Sequence, residues 1–179
     1  MSFDPNIIEG CIKQRRGAQN MLYQHFAPPM LGLCMRYCRN REEAEDVLQE
    51  AFIKIFQKIS TYRQSGSLEG WIRRIMINHA INHLKAKKMA FIDTDPQELG
   101  NRIPVEEKTE EEGIFKPDDL MRAVQELPPG YKVVFNLYVF EGYSHKEIAN
   151  ELNISENTSK SQLSRARNYL RKSLTEIKR

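Results

Sequence analysis

Apolar residues recur along this chain at intervals of three and four, and no segment of useful length alternates polar with apolar. Between Glu42 and Ile59 the positions Ala44, Val47, Leu48, Ala51, Phe52, Ile55 and Ile59 fall on one face of a helix. A second helix is predicted from Trp71 to Lys88, with Ile72, Met76, Ile77, Ala80 and Leu84 on its apolar side. Gly66 and Gly70 read as the break between the two. Upstream, Pro28 and Pro29 precede the apolar run Met30–Cys38, and proline suits a first helical turn. The pattern predicts an all-α fold of several packed helices.

Further along, a helix through Val133 to Phe140 is broken by Glu141-Gly142-Tyr143. Ser144 is placed to cap a short helix, His145 to Leu152, with Glu147 completing a capping box. Asn153 and Ile154 form a turn, and Ser155 caps a long basic helix reaching about Lys178. Short helix, tight turn and longer helix are the ordering of a helix-turn-helix. Between the helical blocks lies a stretch with Pro96, Gly100, Pro104, Gly113 and Pro117 and no sustained apolar period. Two small helical domains follow, 1–90 and 118–179, joined by a flexible acidic linker over 91–117.

Charge sharpens this division. From Met89 to Asp119 ten acidic residues face three basic ones, a local charge of −7 in a chain of net +3, so the remainder carries +10. Basic faces flanking an acidic connector are the footprint of a nucleic-acid binder, though solvated lysines alone give the same count. No run approaches the roughly 20 apolar residues of a membrane span, and MSFDPNIIEG lacks the pattern of a signal peptide, so a cytoplasmic protein without membrane insertion is expected. Cys11, Cys34 and Cys38 are too few for a disulfide framework. Cys34 and Cys38, with Cys11 and His25 elsewhere, match no strong zinc motif; buried free thiols are the better reading, and no metal or other cofactor is expected. Neither a phosphate-binding glycine loop nor a nucleophile elbow nor a suggestive carboxylate pair is present, which argues against an enzyme and a small-molecule substrate.

Three faces carry candidate chemistry. On the last helix Leu163, Ala166, Leu170, Leu174 and Ile177 form a packing stripe, leaving Thr158, Lys160, Ser161, Ser164 and Arg165 on the other side near its N-terminus. That is where a helix-turn-helix reaches base edges and phosphates. Seven basic against two acidic residues from Asn153 onward suit a phosphate track. On the earlier helix Trp71, Arg74, Asn78, Asn82 and Lys85 share a narrow polar arc, with no acid between Trp71 and Lys88. An aromatic beside amides and cations suits unstacked bases, although on these residues alone Trp71 filling the core is the simpler reading. On the Glu42 helix Asp46, Gln49, Glu50 and Ile53 point away from the apolar stripe, with Phe56 at its margin. A branched aliphatic among acids suggests a protein-contact patch, though single exposed apolar residues are common.

These residues also carry a family resemblance. The run EDVLQEAFIKIFQKISTYRQSGSLEGWIRRIMINHAINHL resembles region 2 of the extracytoplasmic-function group of sigma factors. The run LPPGYKVVFNLYVFEGYSHKEIANELNISENTSKSQLSRARNYLRKSL is similar to region 4 of the same group. The resemblance implies a promoter-recognition subunit of RNA polymerase that also helps melt DNA. Asp46, Gln49, Glu50, Ile53 and Phe56 then match the helix that docks on the clamp helices of the largest polymerase subunit; the flap is the further polymerase contact. The loop Tyr62–Gly70 matches a loop that pockets a flipped base of the −10 element, and Tyr62, Trp71, Arg74, Asn78, Asn82 and Lys85 match the reader of that element. Thr158, Lys160, Ser161, Ser164 and Arg165 match the recognition helix for the −35 element. The acidic linker takes the place of a segment threaded through the polymerase channel. An anti-sigma factor is the partner expected to control such a protein.

The chain departs from the family pattern in places. Gly-Thr-Val-Lys-Ser-Arg is usual where this chain has Asn157-Thr158-Ser159-Lys160-Ser161-Gln162. Ser159 is expected to loosen packing slightly, and Gln162 removes a cation. Asn82 stands where aspartate is common, so base preference does not transfer from a relative. Two other readings stay open on the residues: a helix-turn-helix regulator acting on duplex DNA without polymerase, and a sigma-like decoy that sequesters an anti-sigma protein. The first leaves Ile53 and the Trp71 arc unexplained. Against the second, such decoys are expected to carry a receiver domain, for which there is no room, and Arg74, Lys160 and Arg165 are retained.

Overall fold

A computed structural model describes residues 4–63, 65–87 and 116–177. Among the described residues every regular element is helical. The chain divides into two compact units, Met1–Leu84 and Lys85–Arg179, each with its own apolar core. The acidic linker lies outside the described residues, except for Lys116 and Pro117 at its end.

The first unit opens with α1, Pro5–Ile12, whose start the chain encodes twice. The Asp4 carboxylate accepts the Asn6 N–H at 2.9 Å, and Pro5 brings its preset φ to the first turn. Gln14 sits at φ 55°, and behind it Arg15 N–H donates to Gly10 C=O at 2.9 Å while Gln14 N–H donates to Cys11 C=O at 3.0 Å. This is a Schellman closure with glutamine in the place glycine usually takes. Helix α2, Arg16–Tyr37, then runs back so close that a Cβ on Gly10 would stand 2.6 Å from Ala18 Cβ.

Pro28 and Pro29 lie inside α2, not at its start. Both face solvent, while Leu22, Phe26, Ala27, Met30, Leu33, Cys34 and Tyr37 on the same helix are buried. Each fully buried large apolar side chain contributes roughly 1.5–3 kcal/mol. Several together outweigh the ~3 kcal/mol that each of the two interior prolines costs. Tertiary packing therefore carries the helix through a sequence that locally resists it.

Helix α3, Arg41–Lys58, starts at Asn40, whose side chain accepts the Glu43 N–H at 2.8 Å. Its predicted stripe is buried from Ala44 to Ile55, and Ile59 is buried in the 3-10 turn that follows, Ile59–Thr61. Helix α4, Leu68–Lys87, begins one turn before the predicted start. Gly70 is thus helical, not a break. Ser67 caps the helix by accepting the Gly70 N–H at 3.0 Å, and the missing Cβ leaves room for the Ser67 hydroxyl. Ile72, Met76, Ile77, Ala80 and Leu84 are buried as predicted.

In the second unit α5, Pro117–Glu126, places proline in its first turn, followed by Asp118 and Asp119 at the positive end of the helix dipole. Its last carbonyls are served by Lys132, a buried residue whose ammonium donates to Gln125 C=O at 2.6 Å. Helix α6, Pro129–Phe135, begins four residues before the predicted Val133 and widens into a π turn over Asn136–Phe140, closed by Glu141 N–H to Asn136 C=O at 3.1 Å. Gly142, at φ 71°, then turns the chain. Helix α7 is His145–Leu152, with the predicted capping box formed between Ser144 and Glu147. Asn153 adopts the left-handed conformation at φ 56°, and Ile154 N–H donates to Ala149 C=O at 3.0 Å, which makes the turn. The Ser155 hydroxyl accepts the Thr158 N–H at 2.9 Å at the start of α8, Glu156–Ile177. Leu163, Ala166, Leu170 and Leu174 are buried against α5, α6 and α7, while the Ile177 side chain lies outside the described residues.

Candidate functional site

The first unit presents two outward stripes. On α3 Asp46, Gln49, Glu50 and Ile53 are exposed, Ile53 at 57%, and Phe56 is half-buried with its ring 6.0 Å from the core ring of Phe52. Packing holds this stripe firmly, because Phe52 also meets Tyr23 edge-on at 4.7 Å. Glu50 is not wholly free for a partner. Its carboxylate lies 3.0 Å from Nε2 of His79 on α4, though 62% of its side chain remains exposed.

On α4 Arg74 and Asn82 are exposed, while Trp71, Asn78 and Lys85 are half-buried. Trp71 is thus neither core nor free: its ring packs 5.7 Å from that of Tyr62 at 48°. The Tyr62 hydroxyl donates to Gly66 C=O at 2.6 Å and so closes the loop leading into α4. Ring, amides and guanidinium lie on one side of the helix without a carboxylate among them. Such a surface can stack a base and hold its backbone. Lys88, at the end of the basic run, lies outside the described residues.

In the second unit Lys160 is exposed and Thr158, Ser161, Ser164 and Arg165 are half-buried. The Ser161 hydroxyl donates to Thr158 C=O at 3.0 Å, and Arg165 reaches the Tyr131 hydroxyl at 3.5 Å. Gln162, where a cation was expected, leans toward Gly130 at the start of α6, whose Cβ would lie 3.5 Å from its amide. It packs within the unit. Ser159 is fully buried, and its hydroxyl meets Nδ1 of His145 at 2.9 Å. The loosening expected there is offset by this bond, and the His145 ring stacks on Tyr138 at 4.7 Å. Burial, with Lys160 and then Arg167 adding repulsion, pushes the His145 pKa below its ordinary value.

Sequence reasoning missed the contacts that tie α3 to α4. His79 is buried, with Nδ1 2.8 Å from the Lys54 ammonium and Nε2 on Glu50. One turn on, His83 Nε2 lies 2.9 Å from the Glu43 carboxylate, itself mostly buried. His79 and His83 stand at i, i+4 and Glu43 and Glu50 at i, i+7, a spacing that only the packing of the two helices turns into pairs. The three cysteines are buried free thiols, and burial pushes the Cys34 thiol up to about 12.

Family models match both blocks: Sigma-70 region 2 over residues 22–89 and Sigma-70, region 4 over residues 118–170. The chain is 30% identical to the ECF RNA polymerase sigma factor SigW of Bacillus subtilis over 81% of its own length and 82% of that protein's. The chain belongs to the sigma-70 family, in its extracytoplasmic-function group. It is 28% identical to the RNA polymerase sigma-H factor of Pseudomonas aeruginosa over 98% of this chain and 96% of that one. The fold is shared with the sigma factor RpoE of Bartonella quintana, solved with the anti-sigma factor NepR, at TM-score 0.57 and 22% identity over 87% of this chain and 96% of that one. This sigma factor is accordingly a transcription initiation factor and not an enzyme. No helix among its described residues is long and apolar enough to cross a membrane.

Proposed function

We propose that this sigma factor divides its work among three faces. The α3 stripe of Asp46, Gln49, Glu50, Ile53 and Phe56 docks on the clamp helices of the largest polymerase subunit, and the second unit meets the flap. Tyr62, Trp71, Arg74, Asn78, Asn82 and Lys85 capture bases of the −10 element. Thr158, Lys160, Ser161, Ser164 and Arg165 read the −35 element in duplex form. Domains 1–90 and 118–179 act as separate readers joined by the acidic 91–117 connector, in the cytoplasm and under an anti-sigma factor.

The observation that carries the reading is the pairing of Tyr62 with Trp71 beside a carboxylate-free row of Arg74, Asn78 and Asn82. A base stacked on an aromatic ring contributes about 1–3 kcal/mol. Breaking one base-pair step costs about 1.4 kcal/mol. One captured base thus offsets about one step, so opening proceeds stepwise from stacking and phosphate contacts without nucleotide hydrolysis.

Run-off transcription with purified core polymerase across a promoter library tests this. Transcripts that need the protein, with opening weakened more than core binding by Asn78→Ala, are the expected result. Equal loss of opening and core binding in that variant refutes the assignment of Asn78; no transcripts with wild-type protein refute the reading as a whole.

A further inference from the structure

The contacts between α3 and α4 have a chemical direction. An ammonium has no lone pair to offer, so the Lys54–His79 contact at 2.8 Å requires Nδ1 to accept. The proton of the neutral ring then sits on Nε2 and is donated to Glu50 at 3.0 Å. One imidazole is thereby held at both nitrogens by two residues of α3, at 8% exposure. His83 makes a second tie to Glu43. Glu43 is itself fixed at the start of α3, its other oxygen accepting the Arg39 N–H at 3.0 Å.

Both ties lie on one face of α4, and together they fix its rotation about its own axis. Side-chain ends on a helix stand about 5–6 Å from the axis, so a turn of about 20° moves Asn78 and Asn82 by about 2 Å. Binding constellations lose function beyond about 0.5 Å or 10–20°. Glu50 and Lys54 belong to the helix proposed to face polymerase, and Asn78 and Asn82 to the helix proposed to take the bases.

We propose that His79, held between Lys54 and Glu50, is a positioning residue that keeps the base-reading face of α4 in register with the polymerase-docking face of α3. This rests on the functional reading above. The tie holds only while the ring is neutral. A second proton would set an imidazolium against the Lys54 ammonium, with His83 as the next charged group on α4 and Glu50 alone attracting. Burial and Lys54 push the His79 pKa below its ordinary 6.5, in keeping with a neutral ring near neutrality.

The full-length protein, core polymerase and a promoter opened by the wild-type chain provide the test. Opening is read by permanganate reactivity of unpaired thymines, and core binding by competition, across about pH 5 to 8. His79→Leu fills the space without the bonds and is expected to lose about tenfold in opening at unchanged core affinity. His79→Gln keeps one acceptor and one donor and cannot titrate, so it restores most of the opening and flattens the pH profile relative to wild type. Lys54→Met, at an exposed position, gives a milder loss of opening and stands in should the leucine variant fail to fold. Wild-type opening in these variants, or parallel loss of core binding and opening, overturns the inference. Absence of any wild-type transcription overturns the sigma reading instead.

Discussion

The bond between Ser159 and His145 makes a prediction that can be worked through in energy. Ser159 is fully buried, whereas His145 is only partly so. In Ser159→Ala water can still reach the histidine nitrogen, which places the loss near the low end of the 1–3 kcal/mol range, about 1 kcal/mol. In His145→Phe stacking on Tyr138 survives, but a hydroxyl is stranded in the core. That hydroxyl has a fallback in the Ser155 carbonyl one turn back, so the cost is about 1–2 kcal/mol. The double variant removes both polar partners together and is expected to cost only about 1 kcal/mol, leaving a coupling of about 1–2 kcal/mol. For a domain of about 60–100 residues each kcal/mol moves the melting temperature by about 4–8 °C. The assay is thermal and denaturant unfolding of the full chain by circular dichroism. Trp71, the sole tryptophan, lies in the first unit, so its fluorescence transition should stay in place and serve as an internal control. Additivity of the two single losses within about 0.3–0.5 kcal/mol refutes the coupling.

Gly10→Ala puts a methyl 2.6 Å from Ala18 Cβ and should cost about 1–3 kcal/mol, seen as an earlier Trp71 fluorescence transition. Gln14→Gly relieves the left-handed turn at φ 55° and should stabilise the first unit by about 0.5 kcal/mol net of the added freedom of the unfolded chain; destabilisation refutes it. His79 and His145 both titrate below 6.5 when folded, so the unfolded chain binds more protons in the window beneath that value. Stability therefore rises with pH through the window and falls as pH drops below 6.5. The melting temperature should fall accordingly, and less so in His79→Gln. Charge reversal in Arg165→Glu should remove the upstream half of the promoter footprint while leaving core binding intact, measured by DNase protection and competition.

Much of this molecule is legible in its sequence, and the failures share a cause. The α3 stripe, the Ser144–Glu147 capping box and the Asn153 turn are local signals, settled within one or two helical turns. So are the starts of α1 and α5, where Asp4-Pro5 supplies a cap and Pro117-Asp118-Asp119 supplies dipole charges. Pro28, Pro29 and Gly70 misled because each is a strong local breaker overruled by a neighbour: the buried face of α2 in one case, the Ser67 cap in the other. Partnerships across the fold had no local sign at all. Nothing near Ser159 announces His145, and nothing near Glu50 announces His79, since the partners are 14 and 29 residues apart. Of the candidate surfaces, the outward positions were readable from periodicity, but the double hold on His79 was not.

The two prolines within α2 govern the order in which the first unit is made. A helix grows by adding one hydrogen bond per residue, and two successive positions without an N–H halt that growth. As the chain leaves the ribosome, α2 therefore gains little by coiling early. It becomes worthwhile only once α3 is available to pack against it. Ordering of α2 is thus expected to follow the synthesis of the helices it packs against.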